Sequence, residues 1–193
     1  MIKIYSPRRT EAILARYGAW IDEVSGRYAL PAGLLRALLY KEMTEIDLLD
    51  LAADLIVAAG CFRKKDSSTG YGQVFGATGV RAINFALERG MTDCRALGLS
   101  CDRPLGKENA DDVRMVWKLL HRNQKANIEI AALTLLCAAE EMTGRIDFPG
   151  YSEQELKLIL TRYNADVRHV TPYGEQVYNL YLNKAGHNRT AEP

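Results

Sequence analysis

Apolar side chains recur at helical spacing along almost the whole chain. Ile13, Leu14, Tyr17, Trp20, Ile21 and Val24 fall three or four apart, behind a Thr10-Glu11-Ala12 that reads as a capped start. Leu30-Pro31 opens a second helix, because proline is tolerated in the first turn, and Leu34, Leu35, Leu38 and Leu39 form its stripe. A third helical segment runs from about Glu45 to Ala59. From Gly60 to Gly72 charge, Ser-Ser-Thr and glycines break the pattern, which predicts a loop or short hairpin. Helical spacing returns at Ala77 to Arg89 and lapses over an irregular stretch from Gly90 to Lys107. It then resumes at Ala110 to Arg122, Asn127 to Thr143, Ser152 to Tyr163 and Pro172 to Asn183. The expected fold is mainly α: one compact domain with a short loop or small hairpin near residues 60–75. Within it, residues 1–27 pack as an N-terminal helix, 28–183 form the main body, and the polar 184–193 fray as a tail.

Composition narrows the class. At 193 residues the chain supports one good-sized core. Its 25 basic and 24 acidic residues leave a formal net charge of +1, which argues against a nucleic-acid binder. Arg8, Arg9, Arg36, Lys41, Arg63, Lys64 and Lys65 are the residues from which a local basic patch would be built. No run approaches the roughly 18 to 20 apolar residues that a bilayer span requires. Met1 to Thr10 lacks an apolar run behind its positive charges, so no signal peptide is expected. Cys61, Cys94, Cys101 and Cys137 lack paired Cys-x-x-Cys spacing, so no metal or other cofactor is expected. Cys94 with Cys101 would close a short loop around Gly98, but the reading leans towards reduced thiols, with Cys61 and Cys137 buried.

Three segments carry candidate chemistry. Glu42 lies four and eight positions after Leu38 and Leu34, so it continues an apolar stripe. Desolvation there would raise its pKa and make it a proton donor near neutral pH, although charged residues at such positions more often reach water. Ser68-Thr69-Gly70-Tyr71-Gly72-Gln73 offers hydroxyls, amides and a sharp turn between two glycines. Tyr163-Asn164 ends a helical pattern with a flat ring suited to a sugar face.

Taken in order, Leu39-Tyr40-Lys41-Glu42, Ser68 to Gln73, Asn127-Ile128 and Tyr163-Asn164-Ala165 resemble the lysozyme-like group that holds soluble lytic transglycosylases and goose-type lysozymes. Tyr173, Val177 and Tyr181 resemble that group's closing helix, and the likeness spans roughly residues 28–182. The departures are Met43-Thr44 where Ser usually follows the Glu, Gln73 directly after Gly72, Asp166 in place of a glycine, and a long insertion between Glu42 and Gly70.

The resemblance implies cleavage of the bond between N-acetylmuramic acid and N-acetylglucosamine in peptidoglycan, with Glu42 as general acid and no cofactor. Hydrolysis needs a second carboxylate, for which Asp66 is the first candidate, with Asp47, Asp50 and Asp54 as rivals; a lytic transglycosylase manages with one. Asp47, Asp50 and Asp54 share one helix face, which reads first as a solvated polar face and only second as catalytic. Ser68, Thr69, Tyr71, Gln73, Tyr163 and Asn164 are the expected substrate contacts. A chain made in the cytoplasm that acts on the cell wall implies export by a secretion system or release by lysis. An inhibitory partner protein would then protect the producing cell. A catalytically dead peptidoglycan-binding module is the alternative.

Overall fold

The computed structural model describes residues 2–59, 66–101 and 103–189, apart from the side chains of 184–189. It is mainly helical. The first helix, α1 (Pro7–Arg16), starts earlier than the apolar pattern indicates. Ser6 caps it by accepting from the Arg9 amide, with Pro7 in the first turn, while Thr10 is buried inside it. At Tyr17 the backbone leaves helical geometry (φ −96°, ψ 8°), and α2 (Gly18–Arg27) restarts beyond it. The single helix expected there is therefore two. A glycine at the joint weakens helix continuity, and Leu14 and Ile21 on either side of it enter the same core.

After Pro31, α3 (Ala32–Glu45) buries Leu34, Leu35, Leu38, Leu39 and Met43, and Glu42 with them. The next helix, α4 (Leu48–Ala59), is capped by Asp47, whose side chain accepts from the Leu49 and Asp50 amides. Asp50 in turn accepts from the Asp47 amide. A two-stranded antiparallel hairpin follows, with β1 (Ser68–Thr69) facing β2 (Val74–Phe75). It runs straight into α5 (Gly76–Glu88).

The irregular stretch from Gly90 to Lys107 is closed by a Cys94–Cys101 disulfide, which corrects the expectation of reduced thiols at these two positions. Cys137 is a buried free thiol, and Cys61 lies outside the described residues. Asn109 caps α6 (Ala110–Arg122), and Asn123 caps α7 (Gln124–Thr143). Every residue from Ala126 to Ala139 of α7 is buried, so this helix is the axis of the molecule. A capping box of Ser152 and Glu155 opens α8 (Glu153–Asn164), and α9 (Pro172–Arg189) closes the described chain, running six residues past the expected end at Asn183. Around α7 pack α2, α5, α6 and α8, while α9 bridges α8 to α3. One hydrophobic cluster draws on α1 to α3 and α5 to α9, so residues 1–27 share the core of the rest. No described helix is long and apolar enough to cross a membrane.

Candidate active site

Glu42 stands near the C-terminal end of α3, with only 8% of its surface exposed, on the wall of a cleft of about 130 Å³. Glu45, Ile46 and Asp50 continue that wall. Opposite come Ser68, Gln73, Val74 and Phe75 from the hairpin, Thr78 from α5, Thr134 from α7, and Tyr163 and Asn164 from α8. Burial pushes the Glu42 carboxyl up to about 7. The Tyr173 hydroxyl and the Lys41 charge pull it back, while Glu45 and Asp50 push it further. Tyr173, in the first turn of α9, donates its hydroxyl to Glu42 Oε1. Its own pKa is held well above the ordinary phenol value by burial and by the Glu42 charge, so it stays a donor. The Tyr173 bond engages Oε1 and leaves Oε2 without a hydrogen-bond partner among the described residues.

Two anchors fix the hairpin against this wall. Asn127 is fully buried in α7 and accepts from the Gly72 amide (2.7 Å) while donating to the Thr69 carbonyl (2.9 Å). Tyr163 donates its hydroxyl to the Gly72 carbonyl (2.5 Å). The close approach is what requires glycine: a Cβ on Gly70, where φ is +71°, would lie 2.2 Å from Asn127 Nδ2, and one on Gly72 would lie 2.7 Å from the Ala131 Cβ. The two glycines thus let the turn sit on α7. Among the amides of this turn, that of Gly72 is used by Asn127.

The second carboxylate falls differently from the first choice. Both oxygens of Asp66 accept from backbone amides, Gly76 at 2.6 Å and Ala77 at 2.9 Å, so Asp66 caps the start of α5 and does not line the cleft. Burial nonetheless raises its pKa against the pull of those amides. Asp54 is buried beneath the hairpin, where Ser67 donates at 2.6 Å and Thr69 at 2.7 Å. The Thr69 oxygen also lies 2.9 Å from His121 Nδ1, and Trp117 donates to Ser67 (3.0 Å) and stacks on His121. Asp54 therefore holds the hairpin to α4, while His121 and Trp117 tie it to α6. Asp47 is a helix cap. Asp50 is the one of the four that reaches the cleft. Its Oδ2 accepts from the Asp47 amide (2.9 Å), and Oδ1 has no partner among the described residues. Glu45 is neutralised by Lys3 and Lys41, which hold its carboxyl below the usual range.

Of the expected substrate contacts, Ser68, Gln73, Tyr163 and Asn164 line the cleft together. Gln73 stands in the left-handed region (φ +45°), held by donation from Nε2 to the Gly70 carbonyl and acceptance from the Ser68 hydroxyl. Thr69 is fully buried on Asp54, and the Tyr71 ring packs edge-on against Tyr5 and Tyr17, so neither faces the cleft. Tyr173 is the participant that site reasoning missed. The resemblance placed it in a closing helix, but nothing in its spacing connects it to a glutamate 131 positions away. Phe75, Thr78, Tyr163 and Asn164 also border a second depression, lined by Arg81, Lys107, Arg162 and Asp166. The cleft and this depression therefore adjoin along those four side chains. No protein-family model, curated protein or solved structure matches this chain.

Proposed function

We propose that the protein cleaves the β-1,4 bond between N-acetylmuramic acid and N-acetylglucosamine in peptidoglycan, with Glu42 as general acid. The observation that carries this reading is a buried carboxyl, pushed up to about 7 by desolvation, at the wall of a cleft with a tyrosine hydroxyl fixed on one of its two oxygens. A donor poised near neutral pH is what departure of a sugar oxygen needs. A second depression adjoins the cleft on the Tyr163–Asn164 side, which suits a polymer lying across the site. Glu42 Oε2 passes its proton to the glycosidic oxygen as the bond to the anomeric carbon breaks. The resulting cationic sugar takes a water whose proton goes to Asp50 Oδ1 and from there to solvent, leaving a reducing end. Glu42 regains its proton from solvent.

A second reading has an observation of its own. Asp66 and Asp54 are committed to structural hydrogen bonds, and one oxygen of Asp50 is spent on the Asp47 amide. A site so short of free carboxylates also suits a transglycosylase, in which the muramyl hydroxyl attacks its own anomeric carbon and leaves an anhydro end. In either case we place its action on the cell wall outside the cytoplasm, with a small inhibitory protein as its counterpart in a producing cell.

The test compares wild type and Glu42→Gln on insoluble peptidoglycan, measuring sedimentation with the polymer and release of soluble fragments. The expected result is retained binding with release lowered at least about 1,000-fold, the loss that follows when the group that makes the leaving oxygen viable is removed. Binding without release by the wild type would make this a peptidoglycan-binding module instead.

A further inference from the structure

Among the described residues, Phe75 is the one aromatic residue that stands exposed, at 49%. A single exposed apolar side chain is ordinary, but the place of this one is not. It borders both the cleft at Glu42 and the adjoining depression, which has a volume of about 320 Å³. Phe75 is held there by its pairing with Ser68 in the hairpin and by Asp66, which accepts from the Gly76 amide directly after it. Thr78 and Asn164 share the border, and their side chains have no hydrogen-bond partner among the described residues. Three cations line the depression. Arg81 and Arg162 both pair with Glu141 (2.9 and 2.8 Å), and Arg162 also meets Asp166 (3.4 Å). Lys107 has no carboxylate partner among the described residues. The backbone that carries it is anchored. Asn84 donates to the Leu105 carbonyl (2.6 Å) and accepts from the Leu105 amide (3.1 Å), and the Gly106 amide donates to Asp112 (2.7 Å).

We propose that this depression binds a sugar beyond the pair whose bond is cut, with Phe75 stacked on its apolar face and Lys107 taking a carboxylate of an acidic sugar's side chain. The inference rests on the glycan-cleaving reading above and adds to it a second point of recognition. A pyranose presents C–H bonds on one face, which suits the negative face of an aromatic ring. Phe75 offers such a ring at the border that a strand must cross to run from the cleft into the depression. The free Thr78 hydroxyl and Asn164 amide beside it supply what sugar hydroxyl and acetamido groups bond to. Lys107 then separates two kinds of strand. In a neutral polymer of N-acetylglucosamine it meets no charge. In peptidoglycan every second sugar carries a lactyl group and peptide stem with carboxylates, and the unpaired ammonium is drawn to one of them. Asp66, expected from sequence to act on the bond, acts here by fixing the turn that presents Phe75.

Calorimetric titration of the full chain tests this, in the non-cleaving Glu42→Gln background. The ligands are soluble uncrosslinked peptidoglycan strands and a neutral N-acetylglucosamine hexamer. Phe75→Ala, Phe75→Tyr and Lys107→Gln are added in turn; both positions are exposed, so the fold should persist, and circular dichroism checks that it does. Phe75→Ala should weaken binding of both ligands roughly 10-fold or more, and Phe75→Tyr, which keeps the ring, should restore it. Lys107→Gln should weaken the acidic strands about threefold or more and leave the hexamer unchanged, and the preference for acidic strands should shrink with added salt. Unchanged binding in Phe75→Ala overturns the subsite. Equal losses on both ligands in Lys107→Gln overturn the role given to its charge, and so does a parent preference for acidic strands that salt leaves intact. A parent that binds neither ligand overturns the subsite together with the activity reading. Cleavage of peptidoglycan by wild type that persists undiminished in Phe75→Ala overturns the subsite alone.

Discussion

Glu42 owes its chemistry to its place on an apolar stripe, and that place has a cost in stability. Its folded pKa is raised from 4.5 to about 7, so between those values the folded state binds a proton that the unfolded chain has lost. Stability therefore falls as pH rises through that window and levels off above it. Glu42→Gln removes the titration. The variant should match the wild type at pH 4 and exceed it at pH 8 by up to about 3 kcal/mol, read by chemical denaturation at both values. A difference independent of pH would contradict the buried-acid account. Activity should fall along the same axis, since a general acid works only while protonated. The neighbouring carboxylates separate by role. Asp50→Asn should lower turnover with little change in melting temperature if water is activated there. Asp66→Asn, which weakens the cap of α5, should instead cost about 1 kcal/mol of stability. The reverse pattern in the two variants would return Asp66 to the chemistry.

At the scale of elements, the helices were legible because their apolar spacing is strong and their ends are punctuated. Asn109 and Ser152 each cap where the pattern begins, whereas Asn123 caps α7 at Gln124, ahead of the expected start at Asn127. The break at Tyr17 was not legible, since the apolar spacing runs through it unbroken and only the following glycine marks the joint. The hairpin was legible as a turn but not in its function. Ser68 and Gln73 face the cleft while Thr69 and Tyr71 between them turn away, and that sorting is set by Asn127 and Tyr163, 55 and 91 positions removed from Gly72. The order of the motifs brought these residues together, but only tertiary contact shows that Asn127 clamps the turn and that Tyr163 both clamps it and lines the cleft. Asn127→Ala should leave the Gly72 amide buried and unpaired, costing about 2 to 3 kcal/mol. Hydrogen exchange should show the loss concentrated in residues 68–75. An exchange change spread evenly over the helices would mean that the clamp is not local.

Over the whole molecule, α7 serves as a buried axis against which α5, α6 and α8 are set, and the cleft opens where the α3–α4 corner meets the hairpin and α8. Its two walls come from parts of the sequence that no local pattern joins. That is why Glu42 could be nominated from its stripe, while Tyr173 could not be paired with it. The long insertion between Glu42 and Gly70 proves to contain α4, which supplies Asp50 to one side and an apolar face to the other. The Cys94–Cys101 bond staples the connection between α5 and α6. Reducing it frees a short loop in the unfolded chain and should lower stability by about 2 kcal/mol, seen as a drop in melting temperature with added reductant. No drop would mean that the two thiols are unbonded in solution.

The central claim is that Glu42 protonates a glycosidic oxygen of peptidoglycan and that water takes up the bond. Mass spectrometry of the soluble products from purified peptidoglycan tests it most directly. The account predicts muropeptides with reducing ends from the wild type and none from Glu42→Gln. Anhydro ends that vanish in the same variant would keep Glu42 and remove Asp50 from the chemistry. Products undiminished in Glu42→Gln, or none from the wild type, would contradict the claim.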